Sequence, residues 1–289
     1  MTFAFDAILL GPGRIASVVP GTRPGWADRM LQVLGEGGQA VLLLPGGGEA
    51  VEGFFPGLVE GLVADPGCRV ILYDRPGTAA SEVGGGLADA TDAIHTVLTD
   101  LSVGPVVVIG QSLGGAVAML LARDHPEDVA GLVLLDPTPV NDVKLARRVE
   151  RTASVTAILS KAPGLGRAFR ALLRSSATRS ATRHSMTPAA RAAALTIADV
   201  DLPRLSTAAS GLERIAQSFT EAQLPLVPAA VVTADRRPGS SLRRAHQRVA
   251  AALGTPLVSW PGAVHEVHLS HEREVLAVSR TVVRAVIAA

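Results

Sequence analysis

The run Gly110-Gln111-Ser112-Leu113-Gly114 places a hydroxyl between two glycines, at the end of the apolar stretch 106–110 and the start of a stretch with helical spacing. A G-x-S-x-G turn between a strand and a helix strains the serine backbone and exposes its hydroxyl. Glycines on either side let the two elements approach, and the N-terminal end of the helix favours negative charge developing nearby. The chemistry that suits this arrangement is acyl transfer with Ser112 as nucleophile. A serine hydroxyl is a weak nucleophile at neutral pH, so it needs a general base, and an acyl carbonyl needs donors for its oxyanion. The run Pro45-Gly46-Gly47-Gly48 offers such donors, and the Gly47 N–H pairs with the Leu113 N–H as the expected oxyanion hole, with Gly46 as neighbour. Bases are available in Pro261-Gly262-Ala263-Val264-His265-Glu266-Val267-His268, with His271 three residues on. A zinc motif H-E-x-x-H needs histidines at i and i+4, and His265 and His268 are one residue too close, so no metal and no cofactor is expected. Two aspartates at strand ends, Asp235 and Asp136, are candidates to orient the base.

The elements that must hold these residues read as an α/β chain. Continuous apolar runs at 40–44, 69–73, 106–110 and 131–135 resemble parallel strands covered by helices on both faces. Between them Leu87, Ala90, Ile94, Val97, Leu98 and Leu101 recur at helical spacing, with His95 on the solvated face. The alternation stops after Asp136 and resumes at 228–235, at 256–260 and in an amphipathic stretch at 273–288. The reading is a doubly wound, mostly parallel sheet formed by 1–139 and 225–289, with a helical insertion over 140–224 after the sixth strand. Within the insertion Thr187 followed by Pro188 marks a helix start. Residues 141–221 carry 13 Lys and Arg against 6 Asp and Glu, a net +7 that leaves −6 on the rest. Near the N-terminus Gly11, Gly13 and Ala16 imitate a dinucleotide fingerprint, but Pro20 and Gly21 leave no room for the required helix, and a turn between two early strands is expected.

Composition excludes several classes. A formal charge of +1 and 3% aromatic residues imply no nucleic-acid partner. The single cysteine, Cys68, rules out an intramolecular disulfide and suits a reducing compartment, as a buried structural thiol. The first residues lack the pattern of a signal peptide, and no apolar run approaches the ~18 residues of a span. A cytoplasmic protein without a membrane partner is expected.

The nucleophile turn, the oxyanion glycines and the segment Asp74-Arg75-Pro76-Gly77 together resemble the α/β-hydrolase superfamily over nearly the whole chain, in the subgroup with a helical cap. The resemblance implies the order Ser, acid, His, with Ser112 as nucleophile, Asp235 after the penultimate strand as the usual acid and His265 as base. Asp136 occupies a position that some members use. Asp74 and Arg75 would be structural, and His268 and His271 would lie at the surface or beside the base. Pro45 stands where many members have His, and Val264 where Gly is common. The implied activity is hydrolysis of a carboxylic ester of a hydrophobic small molecule. Rivals are a thioesterase acting on CoA or an acidic acyl carrier protein, a C–C bond hydrolase, a perhydrolase and a non-catalytic receptor. Enzymes of this fold with an Asp nucleophile are disfavoured by Ser112.

Overall fold

A computed structural model of the 289-residue chain describes residues 7–9, 15–17, 31–78, 81 and 85–289. Seven strands form one sheet: β3 (Leu31–Leu34), β4 (Ala40–Leu44), β5 (Arg69–Tyr73), β6 (Val106–Gln111), β7 (Val129–Leu135), β8 (Ala229–Val232) and β9 (Leu257–Val258). Their spatial order is β3-β5-β4-β6-β7-β8-β9; β3 pairs antiparallel with β5 and all other pairs are parallel. Two short strands, β1 (Ala7–Leu9) and β2 (Ile15–Ser17), pair separately and antiparallel. Gly11 and Gly13 lie outside the described residues.

The continuous apolar runs have the expected cause. Leu42 and Leu44 point into one core, with Leu87, Ile94 and Leu98 of α2 (Leu87–Asp100) and Val117 and Leu121 of α3 (Leu113–Asp124). Val41 and Leu43 point into the other, with Leu58 and Leu62 of α1 (Leu58–Ala64) and Val275 and Val283 near the C-terminus. Each such side chain taken from water contributes roughly 1.5–3 kcal/mol, so the middle of a strand covered on both faces is apolar throughout. Cys68 is buried, and burial pushes its thiol up to about 11, as fits a structural residue.

Between β7 and β8 run five helices: α4 (Val143–Ser160), α5 (Pro163–Arg183), α6 (Pro188–Ala198), α7 (Leu202–Ala208) and α8 (Leu212–Ser218). The start at Thr187 is as read, its hydroxyl accepting from the Ala190 N–H at 3.2 Å. The chain then closes with α9 (Ser241–Ala252), α10 (Val267–Ser270) and α11 (Glu272–Ile287). Because β3 was not anticipated, the helical segment follows the seventh strand in chain order rather than the sixth. Among the described residues, no helix is long and apolar enough to cross a membrane.

Candidate active site

Ser112 sits between β6 and α3 with φ 52° and ψ −118°, a backbone that L-residues avoid. Its neighbours explain why the turn closes. A Cβ on Gly114 would lie 2.1 Å from the Leu44 carbonyl oxygen, and one on Gly110 would lie 2.4 Å from that of Gly114. Both obstructions are backbone and cannot yield. Gly114→Ala should therefore cost about 3 kcal/mol or more, read as a lowered urea midpoint at unchanged slope. The turn is also tied to the next strand: the Ser112 N–H donates to Leu135 O at 3.1 Å, and the Thr138 N–H donates to Ser112 O at 2.8 Å.

His265 lies 3.0 Å through Nε2 from the Ser112 Oγ, and its Nδ1 lies 2.6 Å from Asp136 Oδ2. With Nδ1–H donated to the carboxylate, Nε2 carries a lone pair that can accept the serine proton. The loop bearing His265 is anchored by the Gln111 side chain, whose Nε2 donates to His265 O at 3.0 Å. The acid expected from the family position was Asp235, but the carboxylate that the structure places beside His265 is that of Asp136. Asp235 is exposed, its carboxylate accepts from the Gly262 N–H at 2.8 Å, and its own N–H donates to Ala263 O, so it braces the histidine loop from outside. Asp136 reaches His265 because it leaves β7 with φ 44°, turning its side chain across the end of the sheet.

Asp136 is fully buried and heavily partnered. Oδ1 accepts from the Ala234 N–H at 2.9 Å and from Arg236 Nη1 at 2.9 Å, and Oδ2 accepts from Arg236 Nη2 at 2.6 Å as well as from His265. Burial opposes its ionisation, but the His265 hydrogen bond and the charges of His265 and Arg236 outweigh that and hold it well below the usual carboxylate range. Behind it, buried His246 lies 2.7 Å through Nε2 from Pro137 O and 2.9 Å through Nδ1 from the Thr233 hydroxyl. Burial lowers the His246 pKa, which keeps this second imidazole neutral despite Asp136. For His265, loss of hydration disfavours the imidazolium, but the hydrogen bond and charge of Asp136 prevail and raise it above the ordinary value.

These groups open into a cavity of about 780 Å³ whose wall includes Gly47, Leu113 and Ser112 on the sheet side and Ala153, Phe169 and Leu173 on the helices. The expected oxyanion residues thus line the same cavity as Ser112. Gly47 takes φ 58°, and buried Arg75 donates to its carbonyl at 2.8 Å, tying the loop down from behind. Burial pulls Arg75 down to about 10, against the pull of Asp74. Four contributors were not read from the sequence: Gln111, Thr138, whose hydroxyl is 3.4 Å from the Ser112 Oγ, Arg236, and Glu49 on the cavity wall. Burial lifts the Glu49 carboxyl to about 7, with Arg204 opposing and Asp201 adding. Two of them had a visible signal: Gln111 is the second residue of the serine turn, and Arg236 follows Asp235.

The three C-terminal histidines do not gather. His268 is buried rather than at the surface, stacked on Phe54 at 4.7 Å, and burial followed by the nearby His265 takes it down to about 3. His271 stacks on Trp260 at 5.6 Å. Among the described residues one other group, His95, His125 and Glu127, brings three ligand atoms within 4.8 Å of one another. It lies at the far end of α3 from Ser112, about 18 Å away at 1.5 Å per residue. Its two rings stack at 4.2 Å and 10°, and His95 Nδ1 and His125 Nε2 are already engaged, by Asp128 at 2.7 Å and Asp92 at 2.9 Å.

Comparison with known proteins bears on the family and the fold. The chain matches 51% of positions over 57 residues with the lipase LipV of Mycobacterium tuberculosis, covering 20% of this chain and 22% of that protein. It matches 37% over 103 residues with the putative carbamate hydrolase RutD of Variovorax paradoxus, covering 34% and 38%. The match to the 2-hydroxy-6-oxo-6-phenylhexa-2,4-dienoate hydrolase of Comamonas testosteroni is 33% over 108 residues, covering 35% and 37%. The matched regions thus span less than half the length of these relatives. The fold is shared with MenH from S. aureus, at a TM-score of 0.69 and 13% identity over 89% of this chain and 99% of that one. It is also shared with a thermophilic esterase from Thermogutta terrifontis, at 0.66 and 21% over 89% and 93%. Residues 39–235, which include the serine turn and Asp136, match the family model for the alpha/beta hydrolase fold, and the chain belongs to that family.

Proposed function

We propose that the protein is a serine hydrolase that cleaves carboxylic esters of hydrophobic small molecules through an acyl-enzyme, with Ser112, His265 and Asp136 as its catalytic residues. The observation that carries this reading is the continuous chain Ser112 Oγ, His265 Nε2, His265 Nδ1, Asp136 Oδ2, with steps of 3.0 and 2.6 Å, at the base of the cavity. As the Ser112 Oγ bonds to the substrate carbonyl carbon, its proton passes to His265 Nε2. The carbonyl electrons move onto oxygen, held by the Gly47 and Leu113 N–H groups. Collapse of this adduct expels the alcohol, which takes the proton from His265. Water then attacks the acyl carbon, giving its proton to His265, which returns it to the Ser112 Oγ as the acyl–oxygen bond breaks and the acid leaves. The helices between β7 and β8 act as a cap, and the apolar wall they supply through Ala153, Phe169, Leu173 and Leu205 suits an aliphatic or aromatic acyl group.

The experiment is turnover of p-nitrophenyl esters of increasing acyl length, alongside labelling by a fluorophosphonate. We expect one adduct per chain at Ser112 and a kcat/KM that rises with acyl length until the cavity is filled. An unlabelled, well-folded protein without turnover would leave a binding protein as the better reading.

Because His265 must be neutral to act, activity falls as pH drops through its raised pKa, so the acid limb of kcat/KM lies above the ordinary histidine value near 6.5. Arg236 works against that rise, since the charge it places on Asp136 weakens the attraction for an imidazolium. In Arg236→Gln that opposing charge is gone, and the acid limb should move to higher pH. A profile that stays in place would assign Arg236 to packing alone.

A further inference from the structure

The helical hairpin of α4 and α5 has an unusual surface. Residues 143–183 hold ten Lys and Arg and a single acid, Glu150, a net charge of +9. Glu150 is already engaged, accepting from the Gly211 and Glu213 N–H groups at 2.8 Å. Among the described residues only Arg147 and Arg174 of the ten cations meet a carboxylate, Glu213 and Asp199 respectively. The hairpin also carries Val155, Ile158, Leu159, Leu165 and Leu172, five of the seven large apolar side chains that are exposed among the described residues. They are 45–66% exposed, whereas the buried positions of α4 are the alanines 146, 153 and 157. Toward its C-terminal end the helix therefore keeps alanines for the protein and turns Val155, Ile158 and Leu159 to water.

Charge and apolar surface are arranged in order along the helix. Lys144, Arg148, Arg151, Val155 and Ile158 recur every three or four residues, which puts them on one stripe with cations first and aliphatic residues toward the tip. A recess of about 430 Å³ lies along the cationic part and shares Arg148, Thr152 and Thr156 with the wall of the catalytic cavity. A second copy of this chain is a poor occupant for the stripe, because two such hairpins repel each other. The surface matches an anionic layer with hydrocarbon beneath it, where phosphates meet the cations and the tip enters the acyl boundary.

We propose that the α4–α5 hairpin is a docking surface for anionic phospholipid membranes, which it contacts peripherally through the Val155–Leu172 tip and the adjoining Lys and Arg. The expectation of no membrane partner rested on the absence of a spanning segment, which does not bear on peripheral docking. Delivery of a membrane-dissolved ester from this face to Ser112 rests on the hydrolase reading above; docking itself does not.

The test is co-sedimentation of the full chain with phosphatidylcholine vesicles, with or without 30% phosphatidylglycerol. Binding should require the anionic lipid and weaken at least tenfold between low and 0.5 M salt, because exposed charges are screened over ~8 Å at physiological ionic strength. Ile158→Asp with Leu159→Asp should lower binding tenfold or more, as should Lys144→Glu with Arg151→Glu. None of these four residues lines the catalytic cavity, so circular dichroism and turnover of p-nitrophenyl acetate in free solution should stay unchanged in both variants. Equal binding to the two vesicle types, or binding that both variants retain, would overturn the proposal. So would capture of an acidic acyl carrier protein, or self-association, that both variants abolish while anionic vesicles fail to bind. Loss of p-nitrophenyl turnover by the unaltered chain would bear on the hydrolase reading and leave docking standing.

Discussion

Ser112→Ala is expected to lower kcat for ester hydrolysis by about 10⁶, the scale seen when a serine protease loses its nucleophile. The substitution removes one oxygen from a residue whose backbone is fixed by its neighbours: the N–H held by Leu135 O, the carbonyl held by the Thr138 N–H, and the flanking glycines packed on backbone. Alanine meets the same φ of 52° at a cost close to that of serine, so the thermal midpoint should barely change. Residual turnover of roughly 10³ over water should survive if the Gly47 and Leu113 amides and the cavity still hold the substrate. KM should therefore change little while kcat collapses, and fluorophosphonate labelling should disappear. Near-normal turnover in a folded Ser112→Ala protein would remove Ser112 from the mechanism and with it the reading of the cavity as an acyl-transfer site.

The parts of the site legible in the sequence are those set by short-range backbone demands. Gly110 and Gly114 announced a strand and helix in contact, and the contacts that exclude a Cβ there are made to residues four apart or to the adjacent strand. The continuous apolar runs announced strands with both faces covered. What stayed hidden depends on the path of the chain in three dimensions. Asp136 and Asp235 both end strands, and nothing local tells which carboxylate reaches a histidine 129 or 30 residues away. The choice is made by the left-handed turn at Asp136 and by the Arg236, Thr233 and Ala234 groups that β8 brings alongside. Strand β3 was missed for another reason: Leu31-Gln32-Val33-Leu34 is short, only partly buried, and gains its identity from pairing with β5 at the sheet edge.

Asp136→Asn should reduce kcat by about 10⁴, and Asp235→Asn by much less. The asparagine amide keeps the shape of the side chain but can present N–H to His265 Nδ1, which favours the tautomer protonated at Nε2. That tautomer cannot accept the serine proton. The lost charge also removes the force that raises the His265 pKa, so the acid limb of whatever activity remains should move to lower pH. A merely unfolded variant would show no such shift. The substitution has a second consequence, since it leaves the Arg236 guanidinium, three-quarters withdrawn from solvent, without its carboxylate. Asp136→Asn should therefore also lose stability, and adding Arg236→Gln should restore part of the midpoint while leaving kcat low. Asp235→Asn, by contrast, keeps an oxygen that can accept from the Gly262 N–H, and the exposed loop needs little more. Steady-state kinetics across pH 5–9 on the four proteins, with urea unfolding of each, decides the matter. If Asp235→Asn loses 10⁴ and Asp136→Asn remains active, the acid is the residue on the following strand and the pairing of His265 with Asp136 is structural.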